Sequence, residues 1–421
     1  MKSLQRPWEA VQLGMLLLPL SPFLGGLCVV GATLVIWIQK FQTLARSRIN
    51  QGLGLFLLLL ILSCFFANDR QVAWLGFFNF FPFLFIFAAL RQFIQIPVQL
   101  RRLAWAIAIA SVPVVIIGFG QMFWGWQGPI HILILINWKI APTGNPPGRM
   151  SSVFEYANVY ASYLVMVLAL VGGLWIDRLR EWDNQTARWQ LAGLSLLLLG
   201  NAIALILTHS RNAWAVAFLI GLSYAIYLSW YWLIAGVAAL AAMVLGSAFA
   251  PAPVNQGLRA IVPRYFWARL TDEMHPDRPV ALLRTTQWQF ALDMSGDRPL
   301  LGWGLRNFTP LYEAKMQLWL GHPHNLILML LAETGLPATI LLCAIAGWIG
   351  FRGVKSLPEF PPQQRLMLFA YLVAFGGISL FHLLDVTLYD SRINLLGWLL
   401  LAGIGGVAMG NDENSERSLV N

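Results

Sequence analysis

The sequence predicts an all-α fold, a polytopic transmembrane helical bundle of about twelve spans, with one large extracytoplasmic loop that carries short amphipathic helices. Three observations predict it. Of 421 residues, 58% are hydrophobic and only 11% charged. Soluble domains run near ~25% charged, so an ordinary solvated surface cannot be built here. Apolar runs recur at about 20 residues, the length that crosses a hydrocarbon core of about 30 Å at 1.5 Å per residue. Basic residues collect in alternate short loops, as the positive-inside rule requires. A single-domain soluble enzyme, a coiled coil and a disordered chain are excluded. The 19 Trp and 26 Phe suit membrane interfaces. The net charge of +9 follows from loop topology, so no nucleic-acid partner is expected.

The apolar blocks run, in order, over 11–38, 52–67, 72–90, 103–124, 157–175, 191–208, 212–228, 231–250, 324–350, 366–384 and 393–409. The first is too long for one span and contains Pro19 and Pro22, which break a helix. It divides into helices near 8–19 and 22–38. The N-terminus carries Lys2 and Arg6 but no small-residue cleavage site, so the first helix is expected to be retained.

Charge supports that division. With the N-terminus inside, the inner segments hold Lys2, Arg6, Lys40, Arg46, Arg48, Arg91, Arg101, Arg102, Arg178, Arg180, Arg188, Arg352, Lys355, Arg365 and Arg417. The short outer loops hold Arg70, Lys139, Arg149, Arg211 and Arg392, and the remaining basic residues lie within 251–323. An undivided first block would put two basic loops outside. The expected organisation is spans one to nine within 1–250, an extracytoplasmic loop over 251–323, spans ten to twelve within 324–410, and a cytoplasmic tail over 411–421. In the loop, 256–270 and 284–295 read as amphipathic helices on the membrane surface. Cys28, Cys64 and Cys343 lie inside apolar runs without metal spacing.

No phosphate loop, dinucleotide fingerprint, zinc-peptidase motif, paired-aspartate motif or nucleophilic triad signature stands out. No cofactor is expected, and any enzyme chemistry is expected to be metal-free. Five polar groups remain. Thr208-His209-Ser210-Arg211-Asn212 is either a tight turn with a snorkelling Arg or an outward cation at lipid-phosphate level. Arg284 opens the second amphipathic stretch and is either a solvated loop cation or a ligand contact. Gly321-His322-Pro323-His324-Asn325 leads into a span and offers either a cap or an imidazole base. A zinc reading of the pair lacks a nearby carboxylate or Cys. Glu333, nine residues after His324, falls about half a turn off its face, and reads more readily as a buried hydrogen-bonded acid than as its partner. The stretch from Arg149 to Asn158, and the tail with His382, Asp385, Asp390 and Arg392, are structural corners or parts of a site.

The stretches RTTQWQFALDMSGDRPLLGWGLRNF and GHPHNLILMLLAETGLPATILL resemble the core of the O-antigen ligase and polymerase superfamily, as do HSRNAWAV and SSVFEYANVYASYL. The likeness covers roughly 145–350 and rests on four motifs in order rather than on any one. The tail LFHLLDVTLYDSRINLLGWLLLAGI resembles a cyanobacterial branch often labelled as inorganic-carbon (bicarbonate) transporters, so a solute transporter is the rival reading. The resemblance implies a membrane glycosyltransferase of the bacterial inner membrane with its active site facing the periplasm. It would hand a glycan from an undecaprenyl-diphosphate donor to an acceptor sugar hydroxyl, as a ligase or as a polysaccharide polymerase. Its partners would be that lipid-linked donor, the glycan acceptor and membrane lipids. Carried over by motif, His324 is the catalytic base and Arg211 and Arg284 contact the diphosphate. Arg149, Asn158, His322, Asn325 and Glu333 are secondary candidates. The proline between the two histidines departs from the family pattern and bears on the aim of His324.

Overall fold

The computed structural model describes residues 5–271, 273 and 279–418; the side chains of Tyr265, Arg269 and residues 411–418 are not described. Lys2 therefore lies outside the described residues, as does the side chain of Arg417. The protein is 75% helical, and all twelve stretches expected to be apolar spans are helical. Ten of the described helices are long and apolar enough to cross a membrane.

The first block divides as the prolines require. Helix α1 (Gln5–Leu17) has only 13 residues and α2 (Pro22–Arg46) has 25. Ser21 caps α2 by accepting the Leu24 N–H, and Pro22 occupies the first turn, where its missing N–H costs nothing. Next come α3 (Arg48–Phe65), α4 (Arg70–Phe77) and α5 (Phe81–Phe93). The block 72–90, expected as one helix, is two. Pro82 cannot donate to the Phe78 carbonyl and its ring crowds it, so the helix restarts after Phe80. Helix α6 (Pro97–Phe123) follows, and then a short hairpin, β1 (Ile130–Ile132) with β2 (Ile136–Trp138), antiparallel with His131 opposite Asn137. That hairpin was not expected.

Helices α7 (Ala157–Leu179), α8 (Gln185–Leu207) and α9 (Arg211–Tyr227) come next, α9 being 17 residues long. Contacts divide the chain into two compact units, one running through Ala217 and resuming at Phe290, the other Phe218–Gln289. In the second unit, α10 (Tyr231–Phe249) packs against α11 (Val254–Ile261) and α12 (Arg264–Leu270). Pro263 splits the expected amphipathic stretch 256–270 into these last two. Arg259 Nε donates to the Ser247 carbonyl at 2.8 Å and its guanidinium lies 4.1 Å from the Trp267 ring centre. Helix α13 (Arg284–Asp297) opens in this unit.

The first unit is completed by α14 (Phe308–Met316), α15 (Leu326–Ser356), α16 (Pro362–Phe381) and α17 (Ser391–Ser418). Its most enclosed spans are α7 and α17. Helix α15 breaks at Gly335, where φ is 79°, a conformation that glycine adopts without a Cβ penalty. The break is filled by the turn 299–308. Leu336 N–H donates to Pro299 O at 2.7 Å, Trp303 N–H to Ala332 O at 3.0 Å and Gly304 N–H to Glu333 O at 2.9 Å. The same turn is tied to the end of α3 and the start of α4 by Asn68 N–H to Trp303 O and by Asp69 N–H to Asn307 Oδ1. Backbone groups freed by a kink in a membrane helix are satisfied by protein here, as hydrocarbon cannot satisfy them.

Candidate functional site

The start of α15 is fixed by its cap. Asn325 accepts the Leu328 N–H at 3.0 Å and donates Nδ2 to Leu383 O at 3.1 Å. Leu326 N–H donates to His382 O at 2.8 Å, joining the start of α15 to the end of α16. The start of α9 is joined there too, because Asn212 Nδ2 donates to Phe381 O at 2.7 Å. The helix start that carries Arg211 therefore sits beside the one that follows His324. Arg211 is the first residue of α9.

His324 precedes the cap with φ at 53°, an unusual backbone for a residue with a Cβ, held by the anchored Asn325 behind it. Its Nδ1–H donates to Asp385 Oδ1 at 3.1 Å. His322 Nε2 lies 3.6 Å from the same oxygen, and the two imidazoles meet edge to face with centres 4.6 Å apart. Asp385 sits in the loop between α16 and α17 with its side chain only 6% exposed, whereas His324 is 29% exposed and so reachable. Asp385 also accepts Val386 N–H on Oδ1 at 2.9 Å and Asn158 Nδ2 on Oδ2 at 2.6 Å. Asn158 Oδ1 in turn accepts from the Arg149 guanidinium at 2.5 Å, and Arg149 Nε donates to Thr208 O at 2.8 Å. One hydrogen-bonded chain thus runs from the end of α8 through Arg149, Asn158 and Asp385 to His324. Burial alone would raise the Asp385 carboxyl. The His324 hydrogen bond, the two imidazoles and the Val386 N–H outweigh burial and hold it well below the usual carboxylate range, so it is ionised.

The sequence-derived candidates separate into groups. Arg149, Asn158, His322, His324 and Asn325 come together at this corner. Glu333 lies in the seam with the 299–308 turn, where its Oε1 accepts Phe308 N–H at 3.2 Å. Arg284 opens α13 in the second unit. Asp390 and Arg392 form a separate structural corner. Arg392 holds Asp390 at 2.5 Å, donates to Val153 O and stacks 3.8 Å from the Phe154 ring centre.

Asp385 is the residue that sequence reasoning did not assign to the imidazoles. It lies 61 residues after His324, so no local spacing reveals the pair. It is also the carboxylate whose absence set the zinc reading aside. The ligating atoms of His322, His324 and Asp385 all lie within 4.8 Å of one another.

An apolar cavity of about 600 Å³ adjoins this corner, lined among others by Leu326, Leu330, Ile378, His382, Leu388 and Trp398. It shares Leu326 and His382 with the hydrogen bonds that set the start of α15.

These features define a polytopic helical membrane protein with an imidazole–carboxylate site at one end of its spans. Residues 194–343 match the family model described as O-antigen ligase, which supports the O-antigen ligase and polymerase superfamily and a membrane enzyme of that type. The matched range contains Arg211, Arg284, His322, His324, Asn325 and Glu333. Asp385 lies beyond it. No curated protein matches the chain.

Proposed function

We propose that the protein transfers a glycan from an undecaprenyl-diphosphate-linked donor to a hydroxyl of an acceptor sugar. The reaction takes place at the periplasmic face of the bacterial inner membrane, without a nucleotide sugar and without a required metal. The observation that carries this reading is the Asp385–His324 pair, set at the mouth of a span beside an apolar cavity.

A sugar hydroxyl is a weak nucleophile at neutral pH, so attack is helped by a base that takes its proton during the transfer. His324 presents Nε2 for this while Nδ1–H is held by Asp385, which fixes the tautomer and stabilises the imidazolium as it forms. The hydroxyl oxygen bonds to the anomeric carbon of the donor, the glycosidic bond to the diphosphate breaks, and the electron pair leaves with the lipid diphosphate. By their family-like motifs Arg211 and Arg284 are each proposed as diphosphate contacts, a role that suits a guanidinium, which meets phosphate oxygens through two parallel N–H bonds. Lys should replace either poorly. Arg149 and Asn158 are positioning residues that act through Asp385. The apolar cavity is assigned to part of the donor's isoprenoid chain, the component for which its lining is suited.

The test is transfer by the purified protein from a lipid-linked oligosaccharide to a defined glycan acceptor, with and without EDTA. The expected result is product and released polyprenyl diphosphate in both cases. Deletion of the gene should make the lipid-linked precursor accumulate, and the surface glycan lost would identify the acceptor. A requirement for a nucleotide sugar, or activity lost in EDTA and restored by one divalent ion, would contradict the reading.

A further inference from the structure

His322 Nε2, His324 Nδ1 and Asp385 Oδ1 converge on one point from two different loops. We infer that these three atoms form a site for a divalent transition metal of the Zn²⁺ class, and that metal bound there switches His324 off as a base. Binding stands on the geometry alone; the inhibitory consequence rests on the proposed function.

The spacing fits such an ion. A tetrahedral metal with ligand bonds of ~2.0–2.1 Å places its ligand atoms about 3.3 Å apart. The separations from Asp385 Oδ1 are 3.1 Å to His324 and 3.6 Å to His322. All three ligand atoms lie within 4.8 Å of one another, so the remaining closure, up to about 1.5 Å between the two imidazole nitrogens, falls to side-chain rotation. Two imidazoles and one carboxylate suit Zn²⁺ and its neighbours, whereas Mg²⁺ and Ca²⁺ prefer oxygen alone. The imidazoles are 18% and 29% exposed, so solvent reaches the rings and water is the natural fourth ligand. Outer support is present as well. Asn158 holds the second carboxylate oxygen and Val386 N–H the first, which fixes the ligand that must stay ionised. Asn158 also stands between Asp385 and the Arg149 cation.

Coordination changes the protons in a defined way. A neutral His324 keeps its proton on Nδ1, facing Asp385. A metal on Nδ1 requires that proton on Nε2, so the lone pair that would accept the acceptor's proton is gone. At His322, Nδ1 accepts the His324 N–H at 3.2 Å, and coordination through Nε2 moves the ring proton to Nδ1 at the expense of that bond. Starting from neutral rings and an ionised carboxylate, the exchange gains and loses no proton overall.

The experiment uses the full-length protein in detergent, stripped with a chelator and then titrated with Zn²⁺ against a chromogenic competitor, and with Co²⁺ followed in the visible range. One equivalent should bind, with Co²⁺ bands of a four-coordinate site. His322→Ala and Asp385→Asn should each weaken binding by about 100-fold or more, since even outer-shell losses cost 10–100-fold. His131→Ala, on an exposed strand, should leave it unchanged. Gel filtration of each variant separates lost ligand from lost fold. Absence of a bound equivalent, or unchanged affinity in both ligand variants, overturns the site. Transfer should fall as Zn²⁺ fills the wild-type site. Binding without inhibition would leave the metal site standing and remove His324 as the base.

Discussion

Replacing Asp385 with Asn keeps the shape of the side chain and removes its charge. At the Oδ1 position the carboxylate accepts from His324 and from Val386 N–H, and at Oδ2 from Asn158. An amide has one acceptor oxygen, so either orientation of the new side chain sets an NH₂ against a donor. With NH₂ at the Oδ1 position it opposes Val386 and favours the His324 tautomer protonated on Nε2, which is not a base. With NH₂ at the Oδ2 position it opposes Asn158, which cannot turn round without losing its acceptor for Arg149. In both cases the negative charge that would stabilise the imidazolium is lost. Hydrogen bonds to charged groups contribute about 1.5–3 kcal/mol each, and loss of base catalysis costs about 10²–10⁴-fold in rate. The expected result is a fall in transfer rate of about 10²–10⁴-fold, with donor binding little changed because the substitution leaves the phosphate contacts in place. Initial rates with a lipid-linked donor, read beside donor binding and a thermal melt, measure it. A properly folded variant that transfers within about threefold of wild type would refute the role given to Asp385.

Three other perturbations probe separate parts of the structure. Gly302→Ala should destabilise by about 3 kcal/mol or more, because φ is +65° and the new Cβ would lie 2.4 Å from the Glu333 carbonyl carbon, which is backbone and cannot move aside; Gly296→Ala, with open space around it, is the neutral control in a melting comparison. Burial lowers the His382 imidazole to about 4, against the opposing pull of Asp385. The unfolded chain takes up that proton near pH ~6.5, so this contribution should be constant above about 6.5 and fall by up to about 3 kcal/mol as pH drops towards 4, and His382→Gln should flatten the melting temperature over that window. A single cysteine introduced at 280 in a cysteine-free background should react with impermeant label from the periplasmic side; reaction only from the cytoplasm would invert the topology.

What could be read from the sequence depended on the range of the physics involved. The break between α1 and α2 was legible because Pro19 and Pro22 act on their own helix. The break between α4 and α5 has an equally local cause in Pro82, but the surrounding run of Phe masked it as one continuous span. The hairpin 130–138 has strands of three residues, too short for alternation to show. Glu333 follows helical geometry, and its acceptor role toward Phe308 lies in the 299–308 seam, away from the contacts of His324. The turn containing Gly302 and Gly304 was legible as a motif, but its docking into the kink at Gly335 was not, because that depends on backbone bonds between distant segments. The same holds for Asp385. Nothing in the spacing of the last loop says that its carboxylate meets two histidines from the start of α15; they are brought together by contacts between distant segments, among them the anchoring of Asn325 and Leu326 to residues 382 and 383.

The most direct test of the catalytic claim is a pair of single variants, His324→Ala and His322→Ala, assayed for glycan transfer with protein level, folding and donor binding measured in parallel. The account predicts that His324→Ala loses about 10²–10⁴-fold in rate while still binding the lipid-linked donor, and that His322→Ala retains the greater share of activity. Activity lost in His322→Ala and kept in His324→Ala would move the base to the other imidazole, and activity kept in both would contradict histidine base catalysis in this protein.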